Sequence, residues 1–442
     1  MITTSENSYE DIESPSQALE DIDTMERILP LILDIGELLM RSGADVNHVE
    51  RQLMRLGHSY GAEQMNVLVY TASIIVTMTL PDGREYTQTR RILKSAETDF
   101  YRLELLNKLC IDVEERPLDP VELKERFLKI EAEKRLKSWH YCGGILGVSS
   151  YTAFFGGTPL EVAVSAVFAA ILCFLIDKFR PLTPNTIGFN VFATTIIGLL
   201  IGVTCKLFPV LSPDVLIIGE IMIIIPGLAL TNSLRDMFSG DTLSGLLRFI
   251  DSLLLTGAMV IGFMTAMYIC GSVVHTNVST TPYYLKIIAV IPASLGFLLY
   301  YNSRKKLMVF GLVGALLSYG TFVLFMHLGI HGGDFWPVFA CSMVASIYSE
   351  LLSKKLHVPS AVFFVTCIIP IIPGRFLFSA MNFLVQGDFA LASNVGFTCL
   401  QYSIAIAIAI CVVWTVSRTW RNMQIKKRMT TLVEKGKQGI SR

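Results

Sequence analysis

The feature that most constrains the fold is a series of ten apolar stretches between residues 141 and 417. Each approaches the roughly 20 residues that a helix needs to cross the hydrocarbon of a bilayer. In a soluble domain each helix and strand has a solvent-exposed polar face, so charged residues are spread along the chain. Here the charged residues, 17% of the total, are concentrated in residues 1–140 and in the short joints between apolar stretches. We therefore expect a mostly α-helical polytopic membrane protein with ten transmembrane helices. The predicted spans are 141–156, 160–176, 187–206, 215–231, 246–270, 284–300, 307–327, 335–352, 358–378 and 396–417.

The chain is predicted to contain five segments. Residues 1–24 are acidic and serine-rich, which predicts a disordered tail without a signal peptide. Residues 25–137 predict a small cytoplasmic α/β domain, with amphipathic helices and with strands on either side of the turn Pro81-Asp82-Gly83. The other three segments are a first membrane repeat of five helices (138–270), a second one (284–417) and a cytoplasmic tail (418–442).

Positive charges alternate from joint to joint. The joints after the second, sixth and eighth spans carry two or three Lys or Arg residues, and the segment before the first span and the tail after the last carry four or more. The joints between them are nearly free of positive charge, and the exceptions are Lys206, Lys286 and Arg375. Because cytoplasmic loops carry the excess of Lys and Arg, this pattern predicts an inner-membrane protein with both termini in the cytoplasm.

A shift of 147 residues superimposes two short motifs. Ile224-Ile225-Pro226-Gly227 falls on Ile371-Ile372-Pro373-Gly374, and Gly240-Asp241 falls on Gly387-Asp388. The first five predicted spans fall on the last five at the same offset. Since five is an odd number, the second repeat must enter the membrane from the opposite side. The pattern therefore predicts two inverted repeats, an architecture typical of secondary transporters.

The corresponding Pro-Gly pairs in the fourth and ninth spans are the predicted location of the substrate site. Proline removes a helix N–H and breaks the helix, and a helix that restarts there points its positive end at an anion. The alternative is that these pairs only kink or end a helix. Asparagine side chains and one arginine nearby could bind a zwitterion, although the asparagines could equally bridge helices. The predicted substrate-binding residues are Asn190, Pro226, Gly227, Asn232, Arg248, Pro373 and Gly374.

Three carboxylates in or beside the spans are candidates for proton coupling, because charged groups within a membrane are costly and usually functional. Glu220 lies shortly before the first break, and Asp236 lies in the joint that follows it. Asp251 lies three residues after Arg248, a spacing that could pair the two on one helix face. A structural Arg248–Asp251 pair and a helix cap at Asp236 are the alternatives.

No cofactor, metal or nucleic acid is expected. The nine cysteines form no CxxC pair, and the net charge is zero without a basic block. His327, His331 and Asp334 have helical metal-ligand spacing, but their glycine-rich joint favours a loop. A second group in the N-terminal domain could form a catalytic or metal cluster, although such residues are more often a solvated helix face. These residues are Asp45, His48, Glu50 and His58.

Several motifs resemble those of the threonine/serine exporter family. The resemblance to the family's cytoplasmic domain rests on Arg41-Ser42-Gly43-Ala44-Asp45-Val46, His48-Val49-Glu50, Tyr60-Gly61 and Arg90-Arg91-Ile92. The resemblance to its membrane motif rests on Pro226-Gly227-Leu228, Asn232, Arg235-Asp236, Gly240-Asp241, Gly245 and Arg248. The match extends over the whole chain and is to the fused form, which has both five-span halves on one polypeptide. Glu220 has no counterpart in the family pattern.

The resemblance implies export of L-threonine and L-serine, driven by the proton motive force. A two-subunit branch of the family is associated with succinate, so a dicarboxylate exporter is the alternative. For that substrate we expect several cationic groups near the breaks, where only Arg248 and Arg375 lie. A membrane-anchored enzyme or sensor is a third class, without a supporting motif. The expected partners are an amino-acid substrate, protons and the lipid bilayer, and a homo-oligomer remains open.

Overall fold

The structure is a computed structural model that describes residues 15–70, 72–92, 98–133, 135–183, 185–271, 281–329 and 334–440. The chain divides into two compact units. The first comprises Met1–Ala96 and Leu105–Glu133, and the second comprises Glu97–Glu104 and Lys134–Arg442.

The first unit contains a three-stranded antiparallel sheet in the order β1-β2-β3. Its strands are Gln64–Val69 (β1), Ser73–Thr79 (β2) and Glu85–Arg91 (β3). Alternate residues of β2 are fully buried, the pattern of a sheet with one face in the core. The helices are α1 (Pro15–Arg41), α2 (Val46–Ser59), the end of α3 (Phe100–Glu115) and α4 (Pro120–Ala132).

Helix α1 supplies much of the apolar core of this unit, where Ile28, Ile32 and Ile35 are fully buried. A Cβ on Gly36 would lie 3.0 Å from Leu53 of α2 and 3.1 Å from Ile74 of β2. The glycine therefore allows α1 to pack closely on both elements.

The start of α1 corrects the predicted disordered tail. The helix begins at Pro15, so residues 15–24 are helical rather than disordered. A proline is tolerated in the first turn of a helix, where its missing N–H would have no partner. Residues 1–14 lie outside the described residues.

The second unit consists of helices that follow one another with short connections. Two of the predicted spans are each divided between two helices, α8 with α9 and α14 with α15. The helices are α5 (Lys137–Phe154), α6 (Pro159–Lys178), α7 (Thr186–Leu207), α8 (Pro213–Ile224), α9 (Gly227–Phe238), α10 (Thr242–Cys270), α11 (Tyr283–Tyr300), α12 (Lys305–His327), α13 (Phe335–Leu356), α14 (Ser360–Ile368), α15 (Gly374–Gln386) and α16 (Phe389–Ile440).

Length and apolar composition identify fewer candidate spans than the ten predicted. Within the described residues, seven helices are long and apolar enough to cross a membrane, or nine if each bent pair counts as one span. The remaining predicted span, 141–156, corresponds to α5, which interrupts its apolar residues with Gly143, Gly144, Gly147 and several polar residues. The unit as a whole has the character of a multi-pass membrane protein, with many large apolar side chains exposed on the outer faces of its helices.

Helix α5 packs against α11 at very short range. A Cβ on Gly296 would lie 2.6 Å from the Cα of Gly147 and 2.9 Å from the carbonyl oxygen of Gly143. Small residues let membrane helices approach this closely. The two backbones are therefore in direct contact, and α5 is buried against protein along this face.

The remaining helix contacts occur in matching pairs. Helix α7 packs on α10, and α13 packs on α16 in the corresponding position of the second half. In the same way α5–α6 corresponds to α11–α12, and α9–α10 corresponds to α15–α16. The two halves therefore share a pattern of neighbours.

Candidate functional site: two helix breaks in contact

Both Pro-Gly pairs interrupt a helix, and they do so with nearly the same backbone geometry. The axis bends by 53° between α8 and α9, and by 51° between Ser360–Ile371 and α15. Before each proline the backbone is extended, with φ −64° and ψ 130° at Ile225, and φ −55° and ψ 130° at Ile372. A proline sterically disfavours the helical region for the residue that precedes it. The local sequence thus accounts for both breaks.

The structure brings the two breaks together, although they are 147 residues apart in the sequence. A Cβ on Gly227 would lie 2.5 Å from Cγ2 of Ile372 and 3.4 Å from the Cα of Gly374. In return, a Cβ on Gly374 would lie 2.9 Å from Cγ2 of Ile225. The contact is reciprocal, since each glycine faces the isoleucine of the opposite break.

Two helix N-termini begin at this contact. The amide of Leu230 donates to the carbonyl oxygen of Pro226 at 2.9 Å, and the amide of Leu377 donates to that of Pro373 at 3.0 Å. These bonds close the first turns of α9 and α15. The amides within a first turn have no acceptor in their own helix. Two positive helix ends therefore start from one place, an arrangement suited to an anionic group.

Glu220 is completely buried in α8. Within the described residues, neither of its carboxylate oxygens has a hydrogen-bond partner. Its neighbours Ile217, Ile218 and Ile221 are buried apolar residues. An ionised carboxylate is very costly in such surroundings, so we expect the group to carry a proton in this conformation.

Asp236 is also fully buried, but it is paired with two arginines. Arg235 Nη2 lies 3.0 Å from Oδ1, and Arg248 Nη1 lies 3.0 Å from Oδ2. Gly245 allows α9 and α10 to approach, because a Cβ there would lie 2.5 Å from the carbonyl oxygen of Ser233. Asp236 therefore joins the two helices.

This geometry bears on the alternative that Arg248 pairs with Asp251. Asp251 is three residues away with an exposed side chain, whereas Arg248 donates to the buried carboxylate of Asp236 at 3.0 Å. The packing of α9 on α10 gives Arg248 a buried carboxylate partner, Asp236, whereas Asp251 on its own helix is exposed.

Replacing Asp236 by alanine should strongly destabilise the protein. The substitution leaves two arginines in a buried position without their shared carboxylate, which costs about 3 kcal/mol or more. Thermal unfolding of the purified protein measures the effect. Asp251→Ala is the matched control, because the change is on an exposed face and should alter stability by about 0.5 kcal/mol at most. Equal effects of both substitutions would contradict the structural role of Asp236.

The two candidate asparagines lie on different helices. Asn190 is buried in α7, and Asn232 is partly buried in α9. A further asparagine was missed by the sequence analysis. Asn382 of α15 is fully buried, and neither atom of its amide group has a hydrogen-bond partner within the described residues. The sequence signal for Asn382 is its position eight residues after Gly374. Arg235 has the equivalent position in the first half, eight residues after Gly227.

The sequence offered two possible metal clusters as alternatives, although no metal is expected. In the parts of the chain that the structure describes, no group of three or more His, Cys, Asp or Glu residues could hold a metal ion. His327 Nδ1 lies 3.2 Å from the carbonyl oxygen of Val323, and Asp334 accepts a hydrogen bond from Tyr402. His331 lies outside the described residues.

The polar residues of the N-terminal motif contact the backbone. Asp45 caps α2 by accepting from the amide of His48 at 2.9 Å, and Glu50 accepts from the amide of Val69 at 3.2 Å. His58 Nδ1 lies 2.8 Å from the carbonyl oxygen of Ala62. Each contact fixes a loop or a helix end, which gives the motif a structural role.

His48 makes the stability of this region depend on pH. Burial lowers the pKa of His48 to about 4, against 6.5 for the free side chain. The neutral form is favoured in the fold, so its contribution is present above pH 6.5 and is lost as pH falls towards 4. We expect a loss of about 3 kcal/mol over that range. The measurement is amide hydrogen exchange of α2 in the full-length protein, corrected for intrinsic rates.

His48→Gln should flatten this pH dependence, whereas His58→Gln, at an exposed position, should leave it unchanged. An unaltered profile in the His48 variant would contradict the assignment.

Comparison with known proteins decides the family. Residues 30–270 match a family model described as "Putative threonine/serine exporter", and residues 286–416 match one described as "Threonine/Serine exporter, ThrE". The chain belongs to the threonine/serine exporter family. The first model alone covers more than half of the chain, and the two together include both breaks. The family is one of transporters.

The named relatives of this protein fall into two groups, threonine/serine exporters and succinate transporter subunits. A probable threonine/serine exporter of Mycobacterium tuberculosis is 25% identical over 89% of this chain and 76% of its own length. A threonine/serine exporter of Corynebacterium glutamicum is 21% identical over 89% of this chain and 82% of its own. A probable succinate transporter subunit, YjjP of Klebsiella aerogenes, is 28% identical over 54% of this chain and 93% of its own length. No solved structure matches the chain significantly.

Proposed function

We propose that the protein is a secondary exporter of L-threonine and L-serine, driven by the proton motive force and built from two inverted five-helix repeats. The observation that carries this proposal is the reciprocal contact between the breaks. Around a two-fold axis, residue i contacts j while j contacts i. The breaks have this property, because Gly227 faces Ile372 while Gly374 faces Ile225. Ile225 and Ile372 are 147 residues apart in the sequence, and so are Gly227 and Gly374. Transporters with inverted repeats bind substrate at such a repeat interface, where broken helices begin.

The proposed substrate site lies around the two helix starts, with Pro226, Gly227, Pro373 and Gly374 at its centre. The positive ends of α9 and α15, at their first-turn amides, would attract the substrate carboxylate towards the breaks. Polar side chains of α7 and α9, Asn190 and Asn232, are candidates for the ammonium and hydroxyl groups. The names of the full-length relatives support a small hydroxy-amino acid as the substrate. Arg248 is a weaker candidate, because its guanidinium is already paired with Asp236.

Among the three carboxylates proposed for proton coupling, Glu220 is the best supported. It is buried without a partner, so gain and loss of a proton would change its energy strongly. Asp236 is held by two arginines, and Asp251 is exposed. We therefore propose Glu220 as the main proton carrier.

A dicarboxylate remains the second candidate substrate. Two observations favour it: the relatives named as probable succinate transporter subunits, and the presence of a second cation, Lys286, close to Arg375. Uptake of labelled serine, threonine and succinate into inverted vesicles, with and without a proton gradient, separates the two. We expect gradient-dependent uptake of serine and threonine. Uptake of succinate alone would overturn the amino-acid proposal.

Inverted repeats with both termini in the cytoplasm predict a definite topology in the inner membrane. A reporter fused after Arg418 should lie in the cytoplasm, and one inserted within 272–281 should lie outside. A phosphatase reporter and a fluorescent reporter, which are active on opposite sides, provide the measurement. If both positions lie on one side, the repeats are not inverted.

A further inference from the structure

Two of the cations that interrupt the alternation of charged joints, Lys286 and Arg375, lie on adjacent aromatic rings. Lys286 Nζ is 5.6 Å from the ring centroid of Phe154, and Arg375 Cζ is 5.4 Å from that of Phe155. The two rings are perpendicular, with centroids 5.2 Å apart. The two charges are close enough to interact electrostatically. The fold therefore holds two like charges at one place.

Neither cation has a carboxylate within ion-pair distance among the described residues. Their contacts there are with aromatic rings: Arg375 also stacks on Phe376 at 4.7 Å, and Lys286 on Tyr283 at 5.7 Å. Asp334 accepts a hydrogen bond at 3.2 Å from Tyr402, whose ring packs on Phe376. Two neighbouring cations without a counter-ion repel each other, and this repulsion is relieved when an anion binds between them.

Aromatic rings border this region and reduce its contact with water. The ring centroids of Phe376 and Tyr402 are 5.0 Å apart, and Tyr151 lies 5.9 Å from Phe155. Cation–π contacts hold the two cationic groups in place without neutralising them. In such surroundings an anion is attracted more strongly than at an open surface.

We propose that Arg375 and Lys286 form a carboxylate-binding site, and that its occupant during transport is the carboxylate of the exported amino acid. This inference rests on the proposed function. Arg375 directly follows Pro373-Gly374, so the site borders the second break and lies in the first turn of α15. A guanidinium binds a carboxylate through two parallel hydrogen bonds, and an ammonium adds a point charge. By the predicted orientation, the site faces the outside and receives substrate from the breaks.

The test compares ligands that differ only in the carboxylate. Binding of L-serine and of serinol (2-amino-1,3-propanediol), in which a hydroxymethyl group replaces the carboxylate, is measured on the purified full-length protein. We expect Arg375→Gln to weaken serine binding about tenfold or more, a loss of at least 1.4 kcal/mol, and to leave serinol binding unchanged. Arg375→Lys should give an intermediate serine affinity, since lysine keeps the positive charge but cannot form the two parallel hydrogen bonds of a guanidinium.

Arg304→Gln is the matched control. Arg304 also lies over an aromatic ring, Tyr101 at 5.3 Å, but it already has a carboxylate partner, Glu104 at 2.8 Å. Its replacement should not change the preference for serine over serinol. Thermal stability is measured on the same samples, and Lys286→Gln tests the site independently if Arg375→Gln does not fold.

Two further outcomes separate this inference from the proposed function. If the wild-type protein exports serine and Arg375→Gln binds serine with wild-type affinity, the site is wrong and the function stands. If the wild-type protein binds succinate but neither amino acid, and Arg375→Gln abolishes that binding, the carboxylate site stands. In that case the amino-acid occupant and the proposed function are wrong.

Discussion

Glu220→Gln should abolish proton-driven export while it preserves exchange of substrate for substrate. Glutamine has the shape and neutrality of a protonated glutamate, so the buried position in α8 is filled without a new charge. Exchange of substrate for substrate involves no net proton transfer, whereas export driven by inward proton movement requires that this group bind and release a proton in each cycle. Reconstituted vesicles loaded with labelled serine allow both activities to be measured on one preparation.

Glu161→Gln is the control for this experiment. Glu161 is likewise buried in the second unit, but its carboxylate is fully engaged, caps α6 with Thr158 and accepts from the amide of Ser212 at 2.7 Å. We expect its replacement to lower thermal stability and to leave coupling intact in the protein that folds. If Glu220→Gln still exports against a gradient, proton transfer occurs elsewhere in the protein.

Adding a methyl group at either break should impair transport severely. In Gly227→Ala the new Cβ would lie 2.5 Å from Cγ2 of Ile372, and in Gly374→Ala it would lie 2.9 Å from Cγ2 of Ile225. Such overpacking costs about 1–3 kcal/mol and must push the breaks apart. We expect serine transport to fall about tenfold or more in each variant. Initial rates of export, normalised to folded protein, provide the measurement.

The reciprocal geometry supplies a specific rescue for this defect. Gly227→Ala combined with Ile372→Ala removes the side chain that the methyl group would meet, and should recover part of the activity. Gly227→Ala combined with Ile225→Ala should not, because Ile225 faces Gly374 instead. Rescue by both partners, or by neither, would mean that the breaks do not act through this contact.

The existence of the breaks could be predicted from the sequence, because a proline acts on the residues next to it. The extended backbone at Ile225 and Ile372 follows from that local effect alone. Their mutual contact could not be predicted, since it depends on how the surrounding helices pack. The same limit applies to the possible pairing of Arg248 with Asp251. Sequence spacing offered Asp251, whereas the tertiary structure brings in the more distant Asp236.

One of the ten predicted spans, 141–156, is not identified by length and apolar composition for a related reason. Hydropathy alone assumes that each helix faces lipid, but α5 lies against α11 and uses glycine and serine there. Lys286 and Arg375 were visible in the sequence as exceptions to the charge pattern. What the sequence could not show is that residues from the α5–α6 joint, α11 and α15 bring them together.

The close crossing of α5 and α11 holds the two halves of the membrane unit together. A relative named as a probable succinate transporter subunit matches 54% of this chain over 93% of its own length. Where Gly147 and Gly296 meet, the halves adhere through their backbones, independently of the peptide that links α10 to α11. Fusion of two genes would then have fixed the ratio of the halves without creating the interface between them.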